Sequence, residues 1–195
     1  MLKELKPAVL MMLVMTIVTG LAYPAVITVL AQLMFPAQAN GSMVTVDGRV
    51  VGSRLIGQDF KKPEYFHPRP SAAGTNGYDP MASGGSNLGP TSARLFDDVR
   101  RRVEAYRVEN ALASDTLVPA DAVTTSASGL DPHISPRNAE LQIARVARAR
   151  GISAQRLRTL IEAHTEPRTF GILGEPRVNV LELNLALDRL ASGSM

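Results

Sequence analysis

The chain has 195 residues, no cysteine, 21 Lys and Arg against 18 Asp and Glu, and a formal net charge of +3. The lack of cysteine excludes disulfide bonds and thiolate chemistry, so the protein must be held together by packing. The basic residues are mostly arginines spread among carboxylates, and the longest adjacent run is Arg100, Arg101 and Arg102. That pattern is typical of a solvated helix face and argues against a nucleic-acid partner.

The stretch from Ala8 to Phe35 contains no charged residue and predicts a membrane-spanning helix. As a helix it would be roughly 42 Å long, which is enough to cross a hydrocarbon core of about 30 Å. Lys3 and Lys6 precede the stretch, and the next cationic residue is Arg49. The positive-inside rule therefore predicts a single-pass membrane protein with a cytoplasmic N-terminus.

A cleaved secretory signal is the alternative interpretation of the same segment. Lys3 and Lys6 would form its n-region, and residues 37–39 (Ala-Gln-Ala) resemble a peptidase site. The apolar run is too long for a signal h-region of about 7–15 residues, which favours a retained anchor. We therefore expect a cytoplasmic tip and anchor over residues 1–36 and an extracytoplasmic domain over residues 37–195.

Three residues within the span, Thr16, Gly20 and Tyr23, lie on one side of the predicted helix. Small residues four apart let another helix approach closely, so these three are candidate partner contacts. The alternative is that they simply face membrane lipid. Because the chain has one span, a close-packed face would need a partner chain.

The outer domain is predicted to begin with a β-hairpin. Residues 43–57 alternate in β-branched runs around Asp47-Gly48, which is the signal for a type I′ turn. Residues 59–90 then carry five prolines and five glycines without a helical apolar period. Connections of that length are usually functional or disordered. An aromatic cluster indicates that this Pro/Gly segment is ordered; the cluster comprises Tyr65, Phe66 and Tyr78.

Three amphipathic helices are predicted between residues 91 and 164, each preceded by a hydroxyl residue as its N-cap. They are 91 to about 112, capped by Thr91 or Ser92, 136–150, capped by Ser135 with proline at the first helical position, and 154 to about 164, capped by Ser153. Between the first two, residues 118–129 are turn-rich. Residues 123–125 there are predicted as a strand or a strap.

The last regular segment, residues 178–190, can be read with a period of two as a strand or with a helical period. Asn179 followed three residues later by Glu182 resembles a capping box, which favours a helix. Residues 192–195 are predicted as a frayed tail. Together these elements predict a single N-terminal transmembrane helix followed by an α+β domain, in which about four helices pack with a small sheet or hairpin.

No motif in the chain predicts a catalytic, cofactor-binding or metal site. The glycine-rich run 83–90 (SGGSNLGP) lacks the Gly-Lys-Ser/Thr of a phosphate loop and the second glycine of a nucleophile elbow. The histidines His67, His133 and His164 are not at metal-ligand spacing. Asp131 and His133 could join a serine in a triad, but the residues around them favour a sharp turn into a helix.

Six strings that follow one another along nearly the whole chain together resemble one protein family. The strings are GSRLIGQ (52–58), YFHPRPSA (65–72), SGGSNLGP (83–90), SGLDPHISP (128–136), RVARARG (145–151) and LGEPRVNVLELNLAL (173–187). With the charge-free N-terminal span, they are similar to the C subunit of the bacterial potassium-transporting P-type ATPase, the KdpC family. No single string is that specific, but the ordered combination is.

The resemblance implies a non-catalytic accessory subunit of an ATP-driven, high-affinity potassium uptake pump of the inner membrane. Its implied partners are a channel-like potassium-translocating subunit, a P-type ATPase subunit and a small single-span subunit, which would handle ATP, Mg²⁺ and K⁺. The family's C chain is thought to assemble and stabilise the complex, and has been proposed as a catalytic chaperone for ATP binding. A domain outside the membrane could affect ATP affinity only indirectly.

On this basis we predict a docking face on the outer domain, directed at the translocating subunit. Its candidate residues are Tyr65, His67, Arg69, Asn87, Asp131 and His133, the last two within the turn that ends at Ser135. The alternative is that these residues only stabilise loops. A second class of function also stays open, namely a membrane-anchored extracytoplasmic enzyme or solute-binding module that acts alone.

Overall fold

A computed structural model describes residues 2–191, so the prediction of a frayed tail at 192–195 lies outside the described residues. Its contacts divide the chain into two compact units, Met1–Val51 and Gly52–Met195, and each is described by itself. The predicted boundary between residues 36 and 37 concerns the membrane surface and stays a prediction.

The first unit is dominated by one long apolar helix, as predicted. Helix α1 (Leu2–Ile17) continues through a π-helical turn (Val18–Ala22) into helix α2 (Tyr23–Met34). Of the described part of the chain, only the helix Lys3–Met34 is long and apolar enough to cross a membrane, with 32 residues and a mean hydropathy of 2.1 over an 18-residue stretch.

The π-helical turn has a cause in the sequence. Pro24 has no backbone N–H, and in a regular α-helix its ring would collide with the carbonyl of Gly20. Instead, the Tyr23 N–H donates to the carbonyl of Val18, five residues back. The extra residue in this turn moves the Gly20 carbonyl aside and lets the helix continue through the proline.

The rest of this part of the chain contains a short helix and a hairpin. Helix α3 (Pro36–Ala39) is followed by strands β1 (Met43–Val46) and β2 (Arg49–Ser53), which form a two-stranded sheet. Asp47 and Gly48 both have positive φ, 49° and 74°, as a type I′ turn requires. The predicted hairpin and its turn are confirmed.

The second unit contains the four predicted helices, each close to its expected ends. They are α4 (Ala93–Glu109), α5 (Pro136–Arg150), α6 (Ala154–Ala163) and α7 (Val180–Ala191). Ser92, Ser135 and Ser153 cap the first three as predicted. Asn179 Oδ1 accepts the N–H of Glu182 at 3.1 Å at the start of α7. The final segment is therefore a helix from Val180 onward, and only its first two residues, Val178 and Asn179, lie in a strand.

A three-stranded antiparallel sheet links these helices and was not predicted in detail. Its strands, in the order β3-β5-β4, are β3 (His133–Ile134), β4 (Thr165–Glu166) and β5 (Arg177–Asn179). His133 pairs with Asn179 and Thr165 with Val178, which places β5 in the centre. Residues 123–125 follow a 3₁₀ turn (Ala120–Ala122) and form no strand. The strand prediction is therefore wrong, and these residues form an irregular strap.

The main hydrophobic core lies between α5, α6, α7 and β5. Phe66, from the Pro/Gly segment, is fully buried in it, so that segment is ordered as the aromatic cluster predicted. Helix α4 packs on a separate, smaller cluster made by Tyr106, Ala122, Val123 and Leu141. The Pro/Gly segment therefore packs on the same core as α5, α6 and α7.

Candidate functional site

Two buried side-chain amides fix the backbone of the Pro/Gly segment at residues 66 and 67. The Phe66 N–H donates to Asn184 Oδ1 at 2.8 Å, and Asn184 Nδ2 donates to the Phe66 carbonyl at 2.9 Å. The His67 N–H donates to Gln142 Oε1 at 2.7 Å, and Gln142 Nε2 donates to the His67 carbonyl at 3.1 Å. Each amide thus satisfies both backbone groups of one residue, as a neighbouring strand would.

A buried arginine in α5 extends this hold on the segment. The Arg145 guanidinium donates to the carbonyls of Pro63 at 2.7 Å and Tyr65 at 2.8 Å, and to side-chain oxygens of Asn110 at 3.1 Å and Gln142 at 2.6 Å. Burial lowers the pKa of Arg145. The side chain links three parts of the domain, namely the segment, the end of α4 and α5.

His67 joins the segment to the last turn of α4. Its Nδ1 lies 2.9 Å from Glu109 Oε1, and its Nε2 lies 2.9 Å from the carbonyl of Lys62. The hydrogen bond from His67 lowers the pKa of Glu109 below its usual value, against the opposing effect of burial. Both ring nitrogens of His67, a predicted docking residue, therefore contact groups of its own domain.

Arg69 and Asp131 form an ion pair between the segment and the turn before β3. Arg69 Nη1 lies 2.8 Å from Asp131 Oδ2, and the His133 N–H donates to Asp131 Oδ1 at 3.0 Å. Burial acts to raise the pKa of Asp131, but the hydrogen bonds from His133 and Arg69 outweigh it and hold the pKa below its usual value. The Tyr78 hydroxyl donates to the Arg69 carbonyl, and burial raises the pKa of Tyr78.

The strings SGGSNLGP (83–90) and SGLDPHISP (128–136) meet at this same place. The Gly84 N–H and the Ser83 hydroxyl both donate to the Ser128 carbonyl, each at 2.9 Å. Gly129 has φ of 67°, and a Cβ there would lie 2.5 Å from the Gly84 carbonyl oxygen. Glycine is needed at this position for the close approach of the two backbones.

The predicted docking residues fall into two neighbouring groups and one separate residue. Arg69, Asp131 and His133 lie together, with His133 Nδ1 3.4 Å from Asp131 Oδ1. Tyr65, two residues before His67, has the Arg150 guanidinium 4.7 Å from its ring centroid. Asn87 is exposed, has a left-handed φ of 52°, and is not joined to the others by a hydrogen bond.

The candidate contacts in the apolar helix lie in the first unit. The Thr16 hydroxyl donates to the carbonyl of Met12 at 2.8 Å, and Gly20 lies inside the π-helical turn. Tyr23, at the start of α2, is exposed. Whether these three residues contact a partner stays a prediction.

Two grooves border the docking residues. One of about 300 Å³ lies between the segment and α4, and its lining includes His67, Arg69, Tyr78, Arg102 and Glu109. Another of about 540 Å³ is lined by Arg69, Asp131 and His133 together with Glu175 and Arg177. Both carry charges of either sign, which suits contact with a polar protein surface. Within residues 2–191, no group of three or more His, Cys, Asp or Glu side chains is placed to hold a metal ion.

Sequence reasoning missed the buried polar residues that support the candidate site. Asn138, Gln142 and Arg145 follow one another at i, i+4 and i+7 on the inward face of α5, and all three are buried. Polar residues at core positions of an amphipathic helix are the signal that could have found them. Asn184, on the buried face of α7 between Val180 and Leu187, has the same signal, whereas Asn110, just after α4, does not.

Comparison with known proteins shows similarity along nearly the whole chain. Residues 5–189 match the family model described as K⁺-transporting ATPase, c chain. The potassium-transporting ATPase KdpC subunit of Gemmatimonas aurantiaca is 56% identical over 194 residues, which is 100% of this chain and 96% of that protein. The subunits of the same name from Mycobacterium bovis strain BCG and Geobacter sulfurreducens are 58% and 57% identical over 190 residues, covering 97% of this chain and 100% and 99% of theirs.

Proposed function

The chain belongs to the KdpC family of K⁺-transporting ATPase subunits, and we propose that within such a pump it is a non-catalytic accessory subunit that assembles and stabilises the complex. The observation that carries this proposal is the match over residues 5–189, which includes both the apolar helix and the domain. The polar network supports it, because Arg145, Gln142 and Asn184 are occupied in holding a loop.

The proposed partners are a channel-like potassium-translocating subunit, a P-type ATPase subunit and a small single-span subunit. In this proposal they bind K⁺, ATP and Mg²⁺, and this chain binds none of them directly. Any effect of the chain on ATP affinity is then a coupling transmitted through its helix or through the translocating subunit. Thr16, Gly20 and Tyr23 would meet a partner helix.

The proposal requires residues 37–195 to lie outside the cytoplasm, and the Lys3 and Lys6 flank supports that orientation. The chain has no cysteine, so single cysteines report topology without background. We expect a membrane-impermeant maleimide to label Leu117→Cys in intact spheroplasts, since Leu117 is highly exposed. Lys3→Cys should react only after the membrane is opened. The reverse pattern would overturn the orientation.

We propose that the docking face binds its partner through the shape of its loops, because the charges of Arg69 and Asp131 already pair with each other. Arg69→Ala should release the turn before β3 and lower both the recovery of partner subunits and potassium-stimulated ATPase activity. Arg158→Ala is the matched control, since Arg158 also pairs with one carboxylate at 2.9 Å, on a different face between α5 and α6. An intact complex with unchanged activity for Arg69→Ala would rule out the docking face.

The accessory role itself is tested by affinity purification of the full-length chain from membranes of potassium-starved cells. Recovery of a large ATPase and a polytopic partner in fixed proportion would support it. Recovery of the chain alone in several mild detergents would contradict it and would favour a module that acts by itself.

A further inference from the structure

The connection between β4 and β5 exposes three large apolar side chains at one point. Phe170 is 87% exposed, Ile172 75% and Leu173 56%, and we call these three residues the apolar tip. Apolar residues scattered singly over a surface need no explanation, but a contiguous group marks an interaction site. Neither the hydrophobic core nor the polar network uses the apolar tip.

The tip is held in a fixed conformation by its own backbone. Thr169 and Leu173 exchange N–H···O hydrogen bonds of 2.9 and 3.0 Å, and the Gly171 N–H donates to the carbonyl of Arg168 at 3.0 Å. Phe170 has a left-handed φ of 56°, which is unfavourable for an aromatic residue. The turn thus keeps the Phe170 ring in solvent although its backbone conformation is costly. A rigid side chain loses little entropy on binding, so such a tip is preorganised for a partner.

We call the residues on either side of the apolar tip, 166–168 and 175–177, the stem. The charged side chains of the stem pair with one another, so the stem is neutral. Arg168 Nη2 lies 2.8 and 2.7 Å from the two carboxylate oxygens of Glu175, and Arg177 lies 2.8 Å from Glu166 Oε2. Loops that insert into a membrane surface carry cationic side chains available to anionic headgroups. These arginines are already bound to carboxylates, which favours a protein surface over a lipid surface as the partner.

The stem also adjoins the proposed docking face. Glu175 and Arg177 line the same groove of about 540 Å³ as Arg69, Asp131 and His133. The polar docking face therefore extends to the charged residues that follow the apolar tip in the chain. Such a combination, an apolar anchor beside a polar rim, is the usual composition of a protein–protein interface.

We propose that the apolar tip inserts into an apolar pocket on the potassium-translocating subunit, the partner proposed for the docking face, and anchors that face there. This inference rests on the proposed accessory role. Phe170 contributes most of the binding, because a rigid, fully exposed aromatic residue has the largest apolar surface to bury.

The test is affinity purification of the full-length tagged chain as the double variant Phe170→Ser, Ile172→Ser. We expect recovery of the partner subunits to fall about tenfold, since an interface anchor contributes at least about 1.4 kcal/mol, which is a tenfold change in affinity. The matched control is Val108→Ser, Leu117→Ser, which removes two equally exposed apolar side chains elsewhere on the second unit and should leave recovery unchanged. Equal recovery for the two double variants would overturn the inference.

A photo-crosslinking amino acid at position 170 identifies what the tip touches in the assembled pump. A crosslink to the potassium-translocating subunit supports the inference, and a crosslink to a different subunit or to lipid alone overturns it. If the wild-type chain recovers no partner at all, the accessory role itself fails. If the wild type recovers its partners but the tip variant does so equally well, the tip alone is wrong.

Discussion

At the scale of single residues, the domain depends on polar side chains that replace secondary structure. Gln142 and Asn184 satisfy the backbone of residues 66 and 67, and Arg145 binds the carbonyls just before them. A Pro/Gly-rich segment has few backbone bonds of its own, and a buried carbonyl without a partner is unfavourable. These three buried side chains therefore determine the shape of the proposed docking face.

Arg145→Ala should destabilise the chain strongly, because it leaves buried carbonyl and amide oxygens without donors. We expect a loss of about 3 kcal/mol in the free energy of unfolding, measured by urea unfolding of the detergent-solubilised chain. Arg158→Ala removes an exposed pair and should cost less than about 1 kcal/mol. Equal losses in the two variants would contradict the structural role assigned to Arg145.

The lowered pKa values of Asp131 and Glu109 predict an acid-sensitive domain. A carboxyl whose pKa is lower in the folded state adds stability above its unfolded pKa of about 4, and this stability is lost as the pH falls through the folded value. Between about pH 5 and about pH 2, the free energy of unfolding should fall more for the wild type than for Asp131→Asn. Asp97→Asn, at an exposed position, should follow the wild type. Parallel curves for wild type and Asp131→Asn would exclude this linkage.

At the scale of elements, the start of α5 is hydrogen-bonded to the 3₁₀ turn Ala120–Ala122 that precedes it in the chain. Ser135 Oγ accepts the Asn138 N–H at 3.1 Å and donates to Asp121 Oδ1 at 2.9 Å, and Asp121 also accepts the Ser135 N–H at 2.8 Å. One hydroxyl thus caps a helix and holds the 3₁₀ turn against it.

Ser135→Ala should therefore cost more than the loss of an ordinary cap. We expect about 2 kcal/mol, at the upper end for N-caps, because the Asp121 contact is lost as well. Ser153→Ala, at the exposed cap of α6, should cost about 0.5 kcal/mol. The midpoint of thermal unfolding for the two variants gives the comparison, and a smaller shift for Ser135→Ala would show that the Asp121 contact contributes nothing.

The elements that could be predicted are those with a local signal. Apolar periods and N-caps predicted α4 to α7 close to their observed ends, and Asp47-Gly48 predicted the first hairpin. Strands of two or three residues, such as β3 and β4, are too short to show a period of two. Their pairing is fixed by the tertiary structure around them.

The candidate site could be predicted only in part, because its contacts join distant parts of the chain. The Pro/Gly segment was predicted as ordered, but the pairing of Arg69 with Asp131 and of Phe66 with Asn184 depends on the folded domain. The apolar tip was also missed, since a short run such as Phe170 to Leu173 looks the same in sequence whether it is buried or exposed.

At the scale of the whole molecule, one apolar helix and one α+β domain match a K⁺-transporting ATPase c chain along residues 5–189. The proposed account assigns each part a role in assembly. The helix would meet a partner span near Gly20, and the domain would dock through a loop surface that buried amides and Arg145 hold in shape.

Gly20→Leu should then lower recovery of the complex, since a large side chain keeps helices apart, while Ala25→Leu serves as the control in the same helix.

The most direct test of the central claim is quantitative affinity purification of the full-length chain from potassium-starved membranes, with the co-purifying proteins measured by mass spectrometry. The account predicts a P-type ATPase and a polytopic translocating subunit in fixed proportion to the wild-type chain, with recovery reduced for Arg69→Ala and unchanged for Arg158→Ala. Recovery of the wild-type chain alone, in every mild detergent tried, would contradict the accessory role and the docking face together.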